Sequence, residues 1–548
     1  MKKIYRLLAY LLAVLTLLGV LPLTAYAEQS ISAFENGGVK TVTRTAYQEY
    51  IADFADFDYG TKISVNDTDV INLHKAEKMT DINGSGKSGI VISDSGTAQW
   101  SFTAPRNAIY KISIEYVATE KGSGDLELGF LLDDTLPFDE VKTISLNRTY
   151  EQASGEFKKN SVGNDIQPDV AEILKVSNEY IADVSGYVSE PFDFYLSEGN
   201  HTITLNGSRG KVAIFSINFL PYEQPLAYKE YSSKHTFAKS ARGESVILEG
   251  EHFNFKNSVV ITPKTDRSSP ITSPQEVYNT VLNTVGGSTW KLVGDSVVWN
   301  FHIKEAGLYK IILRARQNIV DGMYTCRKLY IDGNLPFKEA EALRFEYNSD
   351  WQVKTLGDGE TEFEFYLKEG NHTLMLEAVA GPLSENVGDV QYILNELYRI
   401  YRRIVMITGA SPDINRDYSF NTLSPDEIEQ LGEYAKLLQA DVDTIDKEAG
   451  ANGSYTSLLK KLIAQLEGMS SNQRTIAKNL ERFKSNLGSI SNWLLTAMEQ
   501  PLEIDNIEIA PSNSDTVLKA KTGFLKAIFF NFKSFLSSFV NATFSLES

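Results

Sequence analysis

The stretch Tyr110-Lys-Ile-Ser-Ile-Glu-Tyr116 alternates apolar and polar side chains, so Tyr110, Ile112, Ile114 and Tyr116 share one face of a strand. Phe192, Phe194 and Leu196 alternate likewise, Glu198-Gly-Asn200 interrupts, and Ile203 and Leu205 resume the pattern. The segment FYLSEGNHTITL, Phe194–Leu205, therefore predicts a hairpin, and its near twin FYLKEGNHTLML occupies Phe365–Leu376. Two longer matches keep a constant spacing of 199 residues. WSFTAPRNAIYKISIEY from Trp100 matches WNFHIKEAGLYKIILRA from Trp299, and DDTLPF from Asp133 matches DGNLPF from Asp332. The twin dozens lie only 171 apart, so the first copy carries about 28 additional residues around Glu151–Asn178. Two homologous modules follow, each a set of short strands suited to a half-buried antiparallel sandwich.

Helical spacing appears in three places. Before the first module, Thr45 and Gln48 have capping-box spacing, and Tyr47, Tyr50, Ile51 and Phe54 share a helical face. After the second twin, Ser424-Pro-Asp-Glu427 starts a helix through Ile428, Leu431 and Leu438. Shorter and longer apolar seams follow at Leu458–Leu466 and Ile476–Leu494, and a further helix is expected near Val387–Ile404. Together they predict a helical bundle. Strand character returns in Leu502–Ile509, read as the last strand of the second module and expected to pair with the strand at 372–378. Beyond it, Phe524, Ile528, Phe532, Phe535 and Phe539 form an amphipathic stripe suited to a core, a partner domain or peripheral contact with a membrane surface.

Hydrophobic residues make up 42% of the 548 positions, enough for real cores. The opening Met1-Lys-Lys, the apolar Leu7–Leu21 and Ala25-Tyr26-Ala27 read as a secretory signal peptide. No cysteine stands at the cleavage point, so a lipid anchor there is excluded and a secreted, extracellular cell-surface location is expected. Cys326, the single cysteine, closes no internal disulfide, which suits a Gram-positive product. The net charge of −18, three units more negative without Lys2, Lys3 and Arg6, argues against nucleic acid as a partner.

Several longer motifs resemble one family. Asp266-Arg-Ser-Ser-Pro270, Leu282-Asn-Thr-Val-Gly-Gly287, RKLYIDGNLPFKEA from Arg327, Ser349-Asp-Trp351, Asn395-Glu-Leu-Tyr398, Lys484-Ser-Asn486 and Gln500-Pro-Leu-Glu503 look like the long extracellular solute-binding proteins of Gram-positive sugar ABC importers. The resemblance implies a mainly β chain with two tandem galactose-binding, jelly-roll-like antiparallel sandwiches and a helical bundle inserted before the last strand of the second. The family's two-lobed sugar-holding domain has no counterpart here, so a truncated member, or one whose binding domain is separate, is expected. The division is a signal peptide over 1–27, a helical segment over 28–60, a first sandwich over 61–222 and a linker over 223–244. A second sandwich follows over 245–384 plus 501–511, with the bundle inserted over 385–500 and a linker with the amphipathic helix over 512–548.

Sandwich modules grip glycans with aromatic faces and amide or carboxylate groups. The candidates are Trp290, Tyr324, Asn348 and Trp351 in the second module and Tyr150, Tyr180 and Tyr187 in the first, against the reading that these rings are packing residues. Trp100 and Trp299 fall in shared strands and are assigned to the core. Val246-Ile-Leu-Glu-Gly-Glu251 resembles the first strand of carbohydrate-binding modules, where an E-x-E pair helps hold a structural calcium; two solvated carboxylates are the alternative for Glu249 and Glu251. In the first module Asn66-Asp-Thr-Asp69 is the nearest analogue. Asp413-Ile-Asn-Arg-Asp417 lacks the glycine and glutamate of a calcium loop, and Gly84-Ser-Gly-Lys-Ser88 lacks the first glycine of a phosphate loop. The six histidines are scattered, His201 and His372 sit in the twin turns, and no catalytic motif appears. The expected function is non-catalytic carbohydrate recognition in an ABC-type sugar uptake system. Oligo- or polysaccharide is the expected ligand, with a separate solute-binding domain or ABC permease as partner. The alternative is a structural or protein-interaction scaffold.

Overall fold

The computed structural model describes residues 46–122, 124–153, 155–449, 455–523, 528–533, 535 and 536. The signal peptide and, of the C-terminal aromatic stripe, Phe524 and Phe539 lie outside them, whereas Ile528, Phe532 and Phe535 are described and exposed. The alternating segments are strands, paired antiparallel throughout the named sheets. In the first module the 16-residue strand Gly89–Ala104 serves both layers. Its residues Ile90–Ile92 pair with Val212–Ile214, and Thr97–Ala104 pair with Gly199–Asn206. In the second module the same path is broken by a loop: Val285–Gly287 pair with Leu502–Ile504, and Ser296–Ile303 with Gly370–Glu377. Two separate sheets result, with Trp299, Leu313, Leu376 and Ile507 in the core between them. Trp100 and Trp299 are both in the cores, as their strand positions predict.

The closing strand of the second sandwich, Leu502–Pro511, pairs with Gly307–Arg316, Thr284–Gly287 and Val246–Glu249. Its expected partner at 372–378 is therefore corrected: that strand lies in the opposite sheet, between Ser296–Ile303 and Tyr324–Ile331. The first module shows why. There Val212–Leu220 pairs with Ala108–Ala118 and crosses away from Gly199–Arg209, so consecutive strands go to opposite partners. Both closing strands carry a bulge at matching places, opposite Tyr116/Glu115 in one copy and Ala315/Arg314 in the other.

The twin motif is likewise not a hairpin. Asp193–Leu196 pairs with Ala108–Lys111, whereas Gly199–Arg209 pairs with strands of the other layer. The second copy divides in the same way. Gly199 and Gly370, at φ of 134° and 133°, make the corner, in a region that favours glycine. Histidine fixes it: His201 Nδ1 lies 2.6 Å from Asp133 Oδ2 and Nε2 lies 2.8 Å from the Ser197 carbonyl. His372 repeats this with Asp332 at 2.7 Å and the Lys368 carbonyl at 2.8 Å. Each aspartate also accepts the next residue's N–H, from Thr202 or Thr373. His372→Ala should therefore cost about 2 kcal/mol in denaturant unfolding, by loss of charge-assisted hydrogen bonds.

Each sandwich starts with a short helix. Tyr47 and Tyr50 of Ala46–Ala52 accept the N–H groups of Asp193 and Tyr195. Tyr228 and Tyr231 of Tyr228–Lys234 accept those of Glu364 and Tyr366. The expected linker over 223–244 thus contains the opening helix of the second repeat. Tyr231→Phe should lower stability by about 1 kcal/mol, the net worth of one such bond, measured by chemical denaturation.

Helices Ser384–Thr408, Pro425–Ala449, Ser457–Ser471 and Arg474–Ala497 form the bundle. Its core continues into the second sandwich through Met323, Tyr324 and Cys326. The two ends of the insertion meet there, since Gln500 Oε1 accepts the N–H of Cys326 and Val379 pairs with Cys326.

Candidate functional site

Four of the predicted ring residues are enclosed, which corrects their assignment as glycan platforms, because a saccharide needs an accessible ring face. Trp290 is fully buried, donates from Nε1 to the Asp295 carbonyl at 2.9 Å, and lies 4.4 Å from the Arg327 guanidinium. Arg327 is itself buried, and burial pulls its pKa down to about 9. Tyr324 is buried at the seam with the bundle, where the Arg344 guanidinium lies 4.5 Å from its ring. Tyr150 pairs with Lys256 of the other sandwich and donates to the Gly122 carbonyl at 3.2 Å. Trp351 donates to Asp266 Oδ2 at 2.9 Å, beneath the Arg316 guanidinium at 4.6 Å. Tyr187 is half-buried against the bundle, beside Gly388. Tyr180 is exposed.

Asn348 is exposed, on the loop that Trp351 anchors. Its main-chain N–H donates to Gln317 at 2.8 Å, and its Oδ1 accepts the Asp350 N–H at 2.9 Å. Tyr347 beside it is exposed. Below this loop Arg316 reaches Glu503 Oε2 at 2.8 Å and Ser268 Oγ at 3.0 Å, and Ser268 bonds Asp266 at 2.6 Å. Arg267 and Ser268 are exposed beside this network. The result is a polar rim that includes the accessible ring of Tyr347 and is held by buried charges. Sequence pattern marked Asn348 and Trp351 but could not separate the floor from the rim.

The other constellation is Glu249, Glu251 and His252, whose ligand atoms lie within 4.8 Å of one another. Glu249 ends the Val246–Glu249 strand on the closing strand, and Glu251 follows in the turn. Glu251 is fully buried, and neither carboxyl oxygen has a hydrogen-bond partner. Burial pushes its pKa up to about 9. His252 Nε2 is 3.5 Å from Glu249 Oε2, and its ring stacks on Phe157 at 4.7 Å. A buried carboxylate without a donor beside two further ligands fits a bound cation. His252 was not singled out in the sequence, although it stands next to Glu251. The first module's analogue is satisfied differently: Asp69 accepts the Asn66 N–H at 2.7 Å and Asp67 pairs with Lys78 at 3.0 Å.

The molecule is thus a tandem β-sandwich protein with a helical bundle spliced into its second sandwich. Residues 385–500, the bundle, match the family model for the bacterial solute-binding protein, 4-helix bundle domain. No curated protein matches the chain. Among solved structures, a GH26-CBM35 β-(1,4)-mannanase from Podospora anserina is similar over 32% of this chain and 35% of its own, at 14% identity and a TM-score of 0.19. A family 35 carbohydrate binding module from Clostridium thermocellum is similar over 30% of this chain and all of its own, at 12% identity and a TM-score of 0.19. The CBM35 from Cellvibrio japonicus Abf62 gives 30% and 95% coverage, 12% identity and 0.18. At these scores no ligand is carried over from them.

Proposed function

We propose that the chain is a non-catalytic, extracellular carbohydrate-recognition component of an ABC-type sugar uptake system. The observation that carries this is the solute-binding-protein bundle at 385–500, spliced into a sandwich that is itself one of two repeats. Oligo- or polysaccharide is the ligand, gripped at the rim of Tyr347, Asn348, Arg267 and Ser268. A separate solute-binding domain or the permease is the partner. Export follows from the basic, apolar and A-x-A sequence at the start, and no helix among the described residues is long and apolar enough to cross a membrane. Glu249, Glu251 and His252 hold a divalent cation that neutralises Glu251 and fixes the start of the second sandwich.

The rim is tested by titrating the full chain with a glycan retained on an array, then repeating with Tyr347→Ala and Asn348→Ala. Together the two changes should weaken binding about tenfold, the worth of one stacked ring and one or two hydrogen bonds, without lowering the unfolding midpoint. Unchanged affinity in both variants would remove this loop from the site.

A further inference from the structure

We propose that the cation site at the start of the second sandwich is completed by Gln152 of the first, so that one divalent cation locks the two sandwiches together. This rests on the cation reading of Glu249, Glu251 and His252. The carrying observation is where the extra residues of the first module go. Thr149–Gln152 and Val170–Ile173 pair with each other, and Thr149–Gln152 also pairs with Phe255–Lys256, extending a sheet of the second sandwich. The loop between them crosses the same boundary: Asp165 accepts the Leu282 N–H at 3.0 Å and Asn164 that of Thr280 at 2.7 Å.

This insert brings two side chains against the cation residues and a carboxylate into their field. Gln152 is buried and donates from Nε2 to the Glu251 carbonyl at 2.7 Å. Its Oε1 is buried without a hydrogen-bond partner, as are both carboxyl oxygens of Glu251. Phe157 stacks on His252, and Asp165 adds to the negative field at Glu251. Gln152 Oε1 and both Glu251 carboxyl oxygens, from two modules joined through the Glu251 main chain, are thus buried and donor-free, and each lacks the compensation that buried polar groups need. A cation would satisfy them at once. The oxygen set of Glu249, Glu251 and Gln152 suits calcium, and the His252 nitrogen would suit zinc. The second copy of the repeat lacks the insert, so this contact belongs to the first module alone.

The test uses the full chain after chelation, with calcium alone and zinc alone as probes, by titration calorimetry and hydrogen exchange. Binding should slow exchange in Thr149–Gln152 and Phe255–Lys256 at least tenfold. Gln152→Ala should bind about tenfold more weakly, as expected when a supporting ligand is lost, and should lose that slowing. Gln152→Glu, which restores an oxygen donor, should recover both. If neither cation binds the native chain, the cation reading and the lock both fail. If a cation binds the native chain and Gln152→Ala equally, with exchange at 149–152 unchanged, the lock fails and the cation reading stands. A Gln152→Glu chain no better than Gln152→Ala also overturns the lock.

Discussion

A chain ending at Gln500 should lose the second sandwich while the first stays folded. All ten residues of Leu502–Pro511 are buried. The strand has partners on both edges, and Leu502, Ile504, Ile507 and Ile509 point into the core. Each such side chain is worth about 1.5–3 kcal/mol on burial, so the four together approach the whole 5–15 kcal/mol stability of a typical domain. Cys326 gives a direct readout. Its thiol is buried, with a pKa that burial pushes up to about 12, so the intact chain should react slowly with thiol reagents at neutral pH. The shortened chain should react rapidly and lose one unfolding transition, whereas a chain ending at Leu518 should behave as the whole. A shortened chain with a protected thiol would show that the closing strand is dispensable.

Trp290→Ala should cost about 3–5 kcal/mol, the usual penalty for emptying the space of a buried large aromatic residue. It removes the ring that packs near Trp299, with centroids 6.2 Å apart, and that lies against the buried Arg327. Arg327 also donates to the Trp290 and Cys326 carbonyls, and burial already disfavours its charge. Denaturant unfolding measures the loss. A ring that stacked on sugar would behave oppositely, with affinity lost and stability kept.

The contrast between these residues shows what sequence carries. Alternation and the 199-residue offset exposed the strands of both modules, because burial on one face leaves a period of two whatever the topology. The return of alternation at Leu502 marked a closing strand even with the bundle interposed. Partner choice was not legible. An apolar strand, a glycine turn and an apolar strand look alike in a hairpin and in a corner between sheets, and here the decision rests on His201 and His372 meeting aspartates 68 and 40 residues away in sequence. The aromatic candidates failed for a related reason: a loop that folds back over the sheet buries Trp351 on Asp266, which local composition does not reveal. One further signal lies in the sequence. Tyr47-Gln-Glu-Tyr50 and Tyr228-Lys-Glu-Tyr231 are the same helix face, and both begin a sandwich.

Retention of the intact chain on a broad glycan array, with reducing ends assayed in the same samples, tests the recognition role most directly. The expected result is retention on at least one saccharide, displaced by soluble fragments of it, with no rise in reducing ends. Failure to bind any glycan, with or without added calcium, would contradict that role, and a rise in reducing ends would contradict its non-catalytic character.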